Sequence, residues 1–527
     1  MRVLTMFIAA IEDIHLVDWV ICAAYLAFVI GLGVYFSGTQ DSNDDFFHGG
    51  KRMHWLPVGL SLFATTFSSN SFVGLPAEGA FGDYHQLLAI FFIPFVVIPI
   101  TCKWFIPKYK SWKYNSLYEY FERRFDRSLR LLASSVFMFY SAGWMATMLL
   151  AVARVLGEVL DSPSPEQGAI IISVVGLLAT LYTAMGGVKA VIWTDTIQAF
   201  ALGGGMLFLL FTLIGDIDGG WLTYFETARE SGKMNMTSTS GGWGERNIYS
   251  AMAYGFFIYM GGQVATYGSY QRYITVESIR DAQFSLVVKG VFTLLSCTLF
   301  FLVGTGLWLF YQQTPESLQI FEAYSQDAAK DRLLPNYVMN FMDGVGITGL
   351  LLAGLFAAAM SSLDSGINSM VATFVTDWHN GKDMGRGTNR RLTLVFGFAV
   401  TCIGCVMSFS KLPVFDLLLS VGGATLGLLL SILVVGLLYR KATTIGVMLG
   451  MCTGLLVYGY IRIYIGKFAS EDTIRALGEF GAIRNNTWWD GMFTTCSSII
   501  VAIIVSKLTY REQAVDESLL LRQRKLT

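Results

Sequence analysis

The stretch Trp55-Leu-Pro-Val-Gly-Leu-Ser-Leu-Phe-Ala-Thr-Thr-Phe-Ser-Ser-Asn-Ser-Phe-Val-Gly-Leu-Pro is long and apolar enough to cross a lipid bilayer, which takes about 20 residues. Its middle, Thr65 to Ser71, nevertheless carries six hydroxyl or amide side chains in seven residues. Such side chains compete with the backbone for hydrogen bonds, and Gly74 and Pro76 weaken the helix further. The pattern predicts a membrane helix that is broken at mid-bilayer, with carbonyl groups free to bind a cation. A continuous but kinked helix is the alternative.

A second interruption is predicted at Met260-Gly-Gly-Gln, within the apolar stretch 248–270. Gly261 and Gly262 permit unwinding because glycine has few conformational restrictions. The two interrupted helices lie five spans apart. This spacing predicts an inverted repeat whose binding site lies between the two halves.

The composition places most of the chain in lipid. Of its 527 residues, 54% are hydrophobic and 14% are charged, whereas soluble domains carry about 25% charged residues. Mean hydropathy is +0.53. These values exclude a soluble enzyme, a nucleic-acid-binding protein and a disordered chain, and the net charge of −1 predicts no polyanionic partner.

Apolar stretches of spanning length predict an all-α polytopic membrane protein with about 13 transmembrane helices. They are 16–36, 55–80, 87–106, 129–156, 168–185, 190–214, 248–270, 286–310, 346–378, 391–409, 414–438, 443–461 and 489–508. Cytoplasmic loops carry an excess of Lys and Arg, and residues 103–130 contain eight of them. This segment is therefore placed inside, which puts the N-terminus outside and the C-terminus in the cytoplasm, in a plasma (inner) membrane.

The same reading divides the chain into five parts. They are an extra helix and cytoplasmic loop at 1–52, a first repeat of five helices at 53–214, an extracellular loop at 215–247, a second repeat at 248–438, and two peripheral helices with a short cytoplasmic tail at 439–527.

The ninth span carries a stripe of small and hydroxyl residues. Its members follow the spacing i, i+3, i+4, i+7 and so share one helix face; they are Ala358, Ser361, Ser362 and Ser365. Hydroxyl oxygens with nearby backbone carbonyls suit a monovalent cation, and a helix-packing stripe is the alternative. The adjacent Asp364 costs about 3 kcal/mol in an apolar span, so it needs a cation or a hydrogen-bond donor.

Two further charged residues lie near span ends. Asp195 either caps the start of the sixth span or serves a second cation site with the ninth span. Lys289, at the start of the predicted eighth span, is expected to extend toward the cytoplasmic interface, and a position lining the cavity is the alternative.

Several of these segments, in this order, resemble the sodium/solute symporter family, which includes sodium–glucose cotransporters and sialic acid symporters. The motifs that carry the resemblance are Gly186-Gly-Val-Lys-Ala-Val-Ile-Trp-Thr-Asp-Thr-Ile-Gln, Ala357-Ala-Ala-Met-Ser-Ser-Leu-Asp-Ser-Gly-Ile-Asn-Ser, Phe63-Ala-Thr-Thr-Phe-Ser-Ser, Tyr118-Glu-Tyr-Phe-Glu-Arg-Arg-Phe and Gln271-Arg-Tyr. The resemblance covers about residues 16–440 and implies a LeuT-type five-plus-five inverted repeat.

The resemblance also implies binding residues. The principal sodium ligands would be the carbonyl oxygens of Ala64, Phe67 and Ala358 and the hydroxyls of Ser361 and Ser362. A second cation site would be formed by Asp195, Ser361, Asp364 and Ser365. Many members have Ser or Thr where Asp364 stands, which leaves sodium and proton as alternatives at that site.

The expected solute site lies beside the two broken helices, at Ser68, Ser69, Ser71, Tyr259 and Gln263. Sialic acid symporters carry an arginine on the third core helix, and the nearest position here is Trp144. This difference argues against a carboxylate clamp on that helix, whereas an aromatic face is able to stack on a sugar ring.

The predicted function is a sodium-coupled symporter that imports a small polar organic solute, with a sugar favoured, by alternating access. Its expected partners are sodium, the solute and the lipid bilayer; it is expected to need no cofactor or other metal and to work as a monomer. The alternatives are a proton-coupled, organic-anion or amino-acid carrier of the same fold. A membrane enzyme is disfavoured because the five histidines are scattered, and a sensor because the tail is short.

Overall fold

The structure is a computed structural model that describes residues 15–37, 53–161, 164–184, 188–342, 346–379, 385–511 and 516–521. The Gly186-Gly pair and the predicted cytoplasmic loop at 38–52 lie outside these residues. The helices of the first half are α1 (Leu16–Ser37), α2 (Trp55–Thr66), α3 (Ser69–Phe81), α4 (His85–Trp112), α5 (Glu119–Arg124), α6 (Arg127–Val159), α7 (Pro165–Thr183), α8 (Val188–Gly215) and α9 (Gly220–Glu230).

The helices of the second half repeat this order. They are α10 (Ile248–Val264), α11 (Tyr267–Thr275), α12 (Ile279–Tyr311), α13 (Pro315–Tyr324), α14 (Leu333–Asn340), α15 (Ile347–Trp378), α16 (Gly385–Met407), α17 (Val414–Leu438), α18 (Thr444–Phe468), α19 (Glu471–Ala476) and α20 (Asp490–Thr509). Within residues 55–215 and again within 248–438 a broken helix comes first and four long helices follow it, while α1 and α18–α20 lie outside this repeat. This is the predicted all-helical, LeuT-type arrangement.

Within the described ranges, ten helices are long and apolar enough to cross a membrane. The two broken helices and α1 do not enter this count at full length, so the total of thirteen spans stays a prediction. The most apolar part of α6, α15 and α17 is mostly buried inside the protein, at 72%, 72% and 78%. The corresponding share is 28–44% in the peripheral helices α4, α7, α8, α16, α18 and α20. The centre of the molecule is therefore built on α6, α15 and α17.

The first helix breaks where the hydroxyl-rich middle was predicted to break it. Helix α2 ends at Thr66 and α3 begins at Ser69, while Phe67 and Ser68 have non-helical backbone angles. The second break falls slightly later than predicted. Helix α10 runs through Gly261 and Gly262 to Val264, and the gap lies at Ala265 and Thr266.

Helix α10 stays intact at the glycine pair because Gly261 is packed closely. A Cβ atom at Gly261 would lie 2.9 Å from the carbonyl oxygen of Leu426. Glycine thus serves there to bring α10 against α17, as small residues do between membrane helices. The half-helix α3, which is predicted to lie on the outer side, meets α12 in the same way, because a Cβ atom at Gly304 would collide with the carbonyl oxygen of Pro76.

Helix α4 contains two π-helical turns, Ile93–Val97 and Thr101–Phe105. Pro94 and Pro99 explain this geometry, because proline lacks the N–H that the α-helical ladder needs. Such turns widen the helix locally.

Candidate functional site

The break between α2 and α3 lies against the middle of α15. The Ser361 hydroxyl donates to the carbonyl oxygen of Ala64 at 3.2 Å and lies 3.4 Å from the carbonyl oxygen of Ala358. The Ser362 hydroxyl donates to the carbonyl oxygen of Thr65 at 3.1 Å. Carbonyl groups at a helix end have no partner within the helix. Those of Ala64 and Thr65 accept hydrogen bonds from the two serine hydroxyls of α15 instead.

Four of the five predicted sodium ligands therefore meet at one place. Ala64, Ala358, Ser361 and Ser362 are each at most 1% exposed, and they bring neutral oxygen atoms together without a formal charge. The fifth, Phe67, packs its ring on Phe300 with 4.7 Å between centroids. Assignment of these groups as sodium ligands stays a prediction; the geometry supports the two hydroxyls and the Ala64 and Ala358 carbonyls.

The second predicted cation site contains two separate hydrogen-bonded groups. Asp195 Oδ2 accepts from Ser61 at 2.5 Å and lies 3.7 Å from the Arg272 guanidinium. Asp364 accepts instead from the Thr183 hydroxyl at the end of α7. Both carboxylates are buried. A buried carboxylate in an apolar segment needs a hydrogen-bond donor or a cation, and Ser61 and Thr183 supply these donors.

Asp195 does not cap a helix start. Helix α8 begins at Val188, seven residues earlier, and a helix terminus acts on charges only within its first turn. The capping interpretation is therefore wrong. Among the residues described, Asp195 Oδ1 is a buried oxygen that lacks a hydrogen-bond partner.

Arg272 of α11 connects these groups. Its guanidinium donates to Ser365 at 2.6 Å, to Thr65 at 2.7 Å and to Ser61 at 3.1 Å. It thereby joins the second broken helix to the first and to α15. The sequence motif Gln271-Arg-Tyr contained this residue, but nothing in its spacing indicated where the side chain lies.

A cavity of about 160 Å³ opens between the two broken helices, α6, α12 and α17. A buried water needs roughly 10–15 Å³ of such space, so the cavity holds far more than one water. Three of the predicted solute residues line it, namely Trp144, Tyr259 and Gln263. Trp144 stacks on Tyr140 at 6.0 Å with nearly parallel rings, which provides a flat aromatic wall.

Ser68, Ser69 and Ser71 are not among the residues that line the cavity in this structure, so their assignment to the solute site stays a prediction. The first turn of α3 packs on α6: Ser69 donates to the carbonyl oxygen of Met148 at 3.0 Å, and Asn70 donates to the Thr147 hydroxyl at 2.8 Å. The polar lining includes instead Thr65 and Thr66 of α2, the half-helix predicted to lie on the cytoplasmic side, and Ser365 of α15.

The expected extension of Lys289 toward the cytoplasmic interface is wrong, and the alternative position in the cavity lining is the one observed. Its side chain is buried in the cavity wall, and its amino group donates to Gln263 Oε1 at 2.6 Å. The prediction failed because α12 starts at Ile279, seven residues before the predicted span, which places Lys289 almost three turns inside the helix. The capping box formed by Ser278 and Asp281 marks this start, and it was the signal available in the sequence.

The site therefore combines a neutral oxygen cluster at a helix break with a cavity that has an aromatic wall and cationic side chains. This combination, on two broken helices, defines an ion-coupled membrane transporter of the LeuT type.

Comparisons with known proteins agree with this class. The model of the family "Sodium:solute symporter family" matches residues 46–454. The sodium/sialic acid symporter NanT of Aliivibrio fischeri is 30% identical over 454 residues, covering 84% of this chain and 87% of its own. Human sodium-coupled monocarboxylate transporter 1 is 27% identical, covering 85% of this chain and 73% of its own.

Among solved structures, a sodium-coupled sialic acid symporter in a substrate-bound outward-open state superposes with a TM-score of 0.77. It is 26% identical, and the match covers 94% of this chain and 98% of the other. The chain belongs to the sodium:solute symporter family. It is a multi-pass membrane transporter that uses sodium as its coupling ion.

Proposed function

We propose that this chain imports an organic anion with sodium by alternating access, and that its solute is an acidic sugar of the sialic acid type. The observation that carries the proposal is Lys289. It is 4% exposed, lines the cavity and forms no ion pair with any residue the structure describes. A buried charge is costly unless it is paired, and a bound carboxylate would supply the missing partner.

Arg272 completes the cationic side of the cavity, but its charge is already balanced in part by Asp195, 3.7 Å away. Lys289 is therefore the better candidate for direct contact with the anion. Lys289 would then bind the solute carboxylate, as the arginine on the third core helix does in sialic acid symporters. Trp144 stands where those symporters have the arginine, and Lys289 on α12 supplies the cation instead. An acidic solute is therefore compatible with tryptophan at this position.

The remaining lining suits a sugar. Trp144 and Tyr140 present aromatic faces, while Gln263, Thr66 and Ser269 present amide and hydroxyl groups on the opposite helices. Apolar ring faces and polar hydroxyl edges are what a pyranose offers to a binding site. The relatives named for sialic acid and for monocarboxylates carry anions, which supports the same choice.

Sodium is proposed to bind at the Ala64, Ala358, Ser361 and Ser362 cluster, and there it joins the inner half of the first broken helix to α15. A second cation is proposed near Asp195, Asp364 and Ser365, where the Asp195 oxygen without a partner is available. Movement of one net charge through 100 mV provides about 2.3 kcal/mol, which supports roughly fifty-fold accumulation of solute.

The test is uptake into proteoliposomes that contain the full chain, with sialic acid, lactate, glucose and proline as separate solutes. We expect sialic acid to accumulate under an inward sodium gradient and not when potassium replaces sodium. Protein-free liposomes are the control. Accumulation of glucose that sialic acid does not inhibit would overturn the acidic-sugar assignment, and accumulation driven by a pH gradient without sodium would overturn the assignment of sodium to these sites.

A further inference from the structure

An open groove of about 400 Å³ lies between α4 and α12, away from the solute cavity. We call it the basic groove and define it by six of its lining residues, which are Cys102, Lys103, Arg280, Gln283, Phe284 and Val287. It lies where α4 approaches its end and α12 begins. Both segments are on the face predicted to be cytoplasmic.

Two cations stand at the mouth of the groove. Lys103 and Arg280 are exposed, and neither forms an ion pair with a residue inside the described ranges. The nearest acid in sequence, Asp281, is engaged as the capping partner of Ser278. The groove therefore presents two unneutralised positive charges to a negatively charged partner.

Each cation lies over an aromatic ring. Lys103 Nζ is 5.1 Å from the ring centroid of Trp104, and the Arg280 guanidinium is 5.3 Å from that of Phe284. Exposed Trp104 with its neighbouring cation is typical of a helix at the boundary between lipid and water. This places the positive charges at headgroup depth.

The walls of the groove are apolar and uncovered. Phe284 is 41% exposed and Val287 is 51% exposed. At the base, the Gln283 side chain donates to the carbonyl oxygen of Cys102 at 2.9 Å, which ties α12 to the π turn of α4. A partner that fits this surface has a negatively charged head and a hydrocarbon tail.

We propose that the basic groove binds one anionic phospholipid, with its phosphate between Lys103 and Arg280 and an acyl chain along Phe284 and Val287. Basic pockets between membrane helices on the cytoplasmic side bind anionic headgroups in this way. The lipid bridges α4 and α12, and α12 also carries Lys289, two residues beyond Val287. Bound lipid therefore stabilises the helix that holds the proposed anion-binding lysine.

The experiment is native mass spectrometry and thermal unfolding of the full chain in detergent, titrated with phosphatidylglycerol, phosphatidylcholine or glycerol phosphate. We expect one phosphatidylglycerol to bind with preference and to raise the unfolding temperature. Lys103→Gln/Arg280→Gln should weaken this binding about thirtyfold, because two basic groups are lost. Both side chains are exposed, so the substitutions leave the core contacts in place.

Arg390→Gln/Arg391→Gln is the matched control, because it removes two exposed cations from another segment predicted to be cytoplasmic. We expect it to bind phosphatidylglycerol as the unsubstituted chain does. Equal binding of phosphatidylcholine, equal binding of glycerol phosphate, or unchanged lipid binding by the Lys103/Arg280 variant would each overturn the proposal. No solute or sodium is present, so these results are independent of the proposed transport function.

Discussion

The hydroxyl oxygen of Ser361 lies 3.2 Å from the carbonyl oxygen of Ala64, although the two residues are 297 positions apart in the chain. One belongs to the uninterrupted helix α15 and the other to the last turn of the inner half-helix α2. The contact holds the broken end of α2 against the continuous helix α15. The sodium ion proposed for this site would be held by both halves of the molecule, and its binding would then control their relative positions.

Ser362→Ala removes one neutral oxygen from this cluster. We expect the sodium concentration for half-maximal uptake to rise about tenfold, because a neutral ligand group contributes roughly 1–1.5 kcal/mol. Sodium titration of uptake in proteoliposomes measures it. Ser431→Ala is the control, since among the described residues that buried hydroxyl bonds only to the carbonyl oxygen of Leu428 in its own helix. Unchanged sodium dependence of the Ser362 variant would contradict the ligand assignment.

Lys289→Met removes the unpaired charge and keeps most of the side-chain volume. We expect half-saturation for the anionic solute to rise about thirtyfold or more, since the loss of one partner of a buried charge pair costs 2–5 kcal/mol. Concentration-dependent uptake measures this. Lys467→Met, at an exposed lysine on α18, should behave like the unsubstituted chain. Normal solute affinity in Lys289→Met would show that the anion binds elsewhere.

Arg272 and Asp195 form a buried pair that is testable by a double-mutant cycle. Each of Arg272→Met and Asp195→Asn should lower the unfolding free energy by about 3–5 kcal/mol, because the remaining group loses its partner. The double variant should lose less than the sum of the two. Denaturant titration in detergent provides the three values, and additive losses would mean that the two charges do not interact.

Arg246 links the outer half-helix α3 to α17. Its guanidinium pairs with Glu78, donates to Asp416 at 2.9 Å, and lies over the Trp488 ring. Arg246→Gln should loosen this closure and increase several-fold the labelling of Ser141→Cys by an impermeant maleimide from the outer side. Ser141 lines the solute cavity.

The matched control for that experiment is Arg229→Gln, an exposed arginine on the outer helix α9. The same chain without the introduced cysteine gives the background from the seven native cysteines. If the cysteine is labelled at the same rate with Arg246 and with Gln at that position, the ion pairs of Arg246 with Glu78 and Asp416 do not restrict access to the cavity from the outer side.

Lys233, in the loop predicted to be extracellular, provides a pH-dependent readout. Burial lowers the pKa of Lys233 from 10.5 to about 8, against the attraction of Asp83 and Glu78, while its amino group bonds to the carbonyl oxygen of Ala80. Between these two pKa values the unfolded chain holds more protons than the folded one, so this residue makes stability rise with pH. Comparison of Lys233→Met with the unsubstituted chain between pH 7 and 10 isolates its contribution, and a constant difference would refute it.

Parts of the site were readable from the sequence because local composition encodes them. The run from Thr65 to Ser71 was enough to predict a break, since hydroxyl side chains weaken a helix wherever they cluster. The stripe at Ser361 and Ser362 followed from helical periodicity alone. The break predicted at Gly261 was misplaced, because glycine permits either unwinding or close packing. Its close approach to Leu426, on a distant helix, cannot be read from the sequence.

The sequence by itself determined that the chain is helical and membrane-embedded, that its first repeat begins with a broken helix, and which face of the ninth span carries the hydroxyl groups that meet this break. These properties depend on hydropathy and on spacing within one segment. Only the tertiary structure decided that Lys289 and Arg272 line the solute cavity while Ser68, Ser69 and Ser71 are not among its lining residues. That choice depends on which helices meet and at what depth, and contacts between residues far apart in the chain set both.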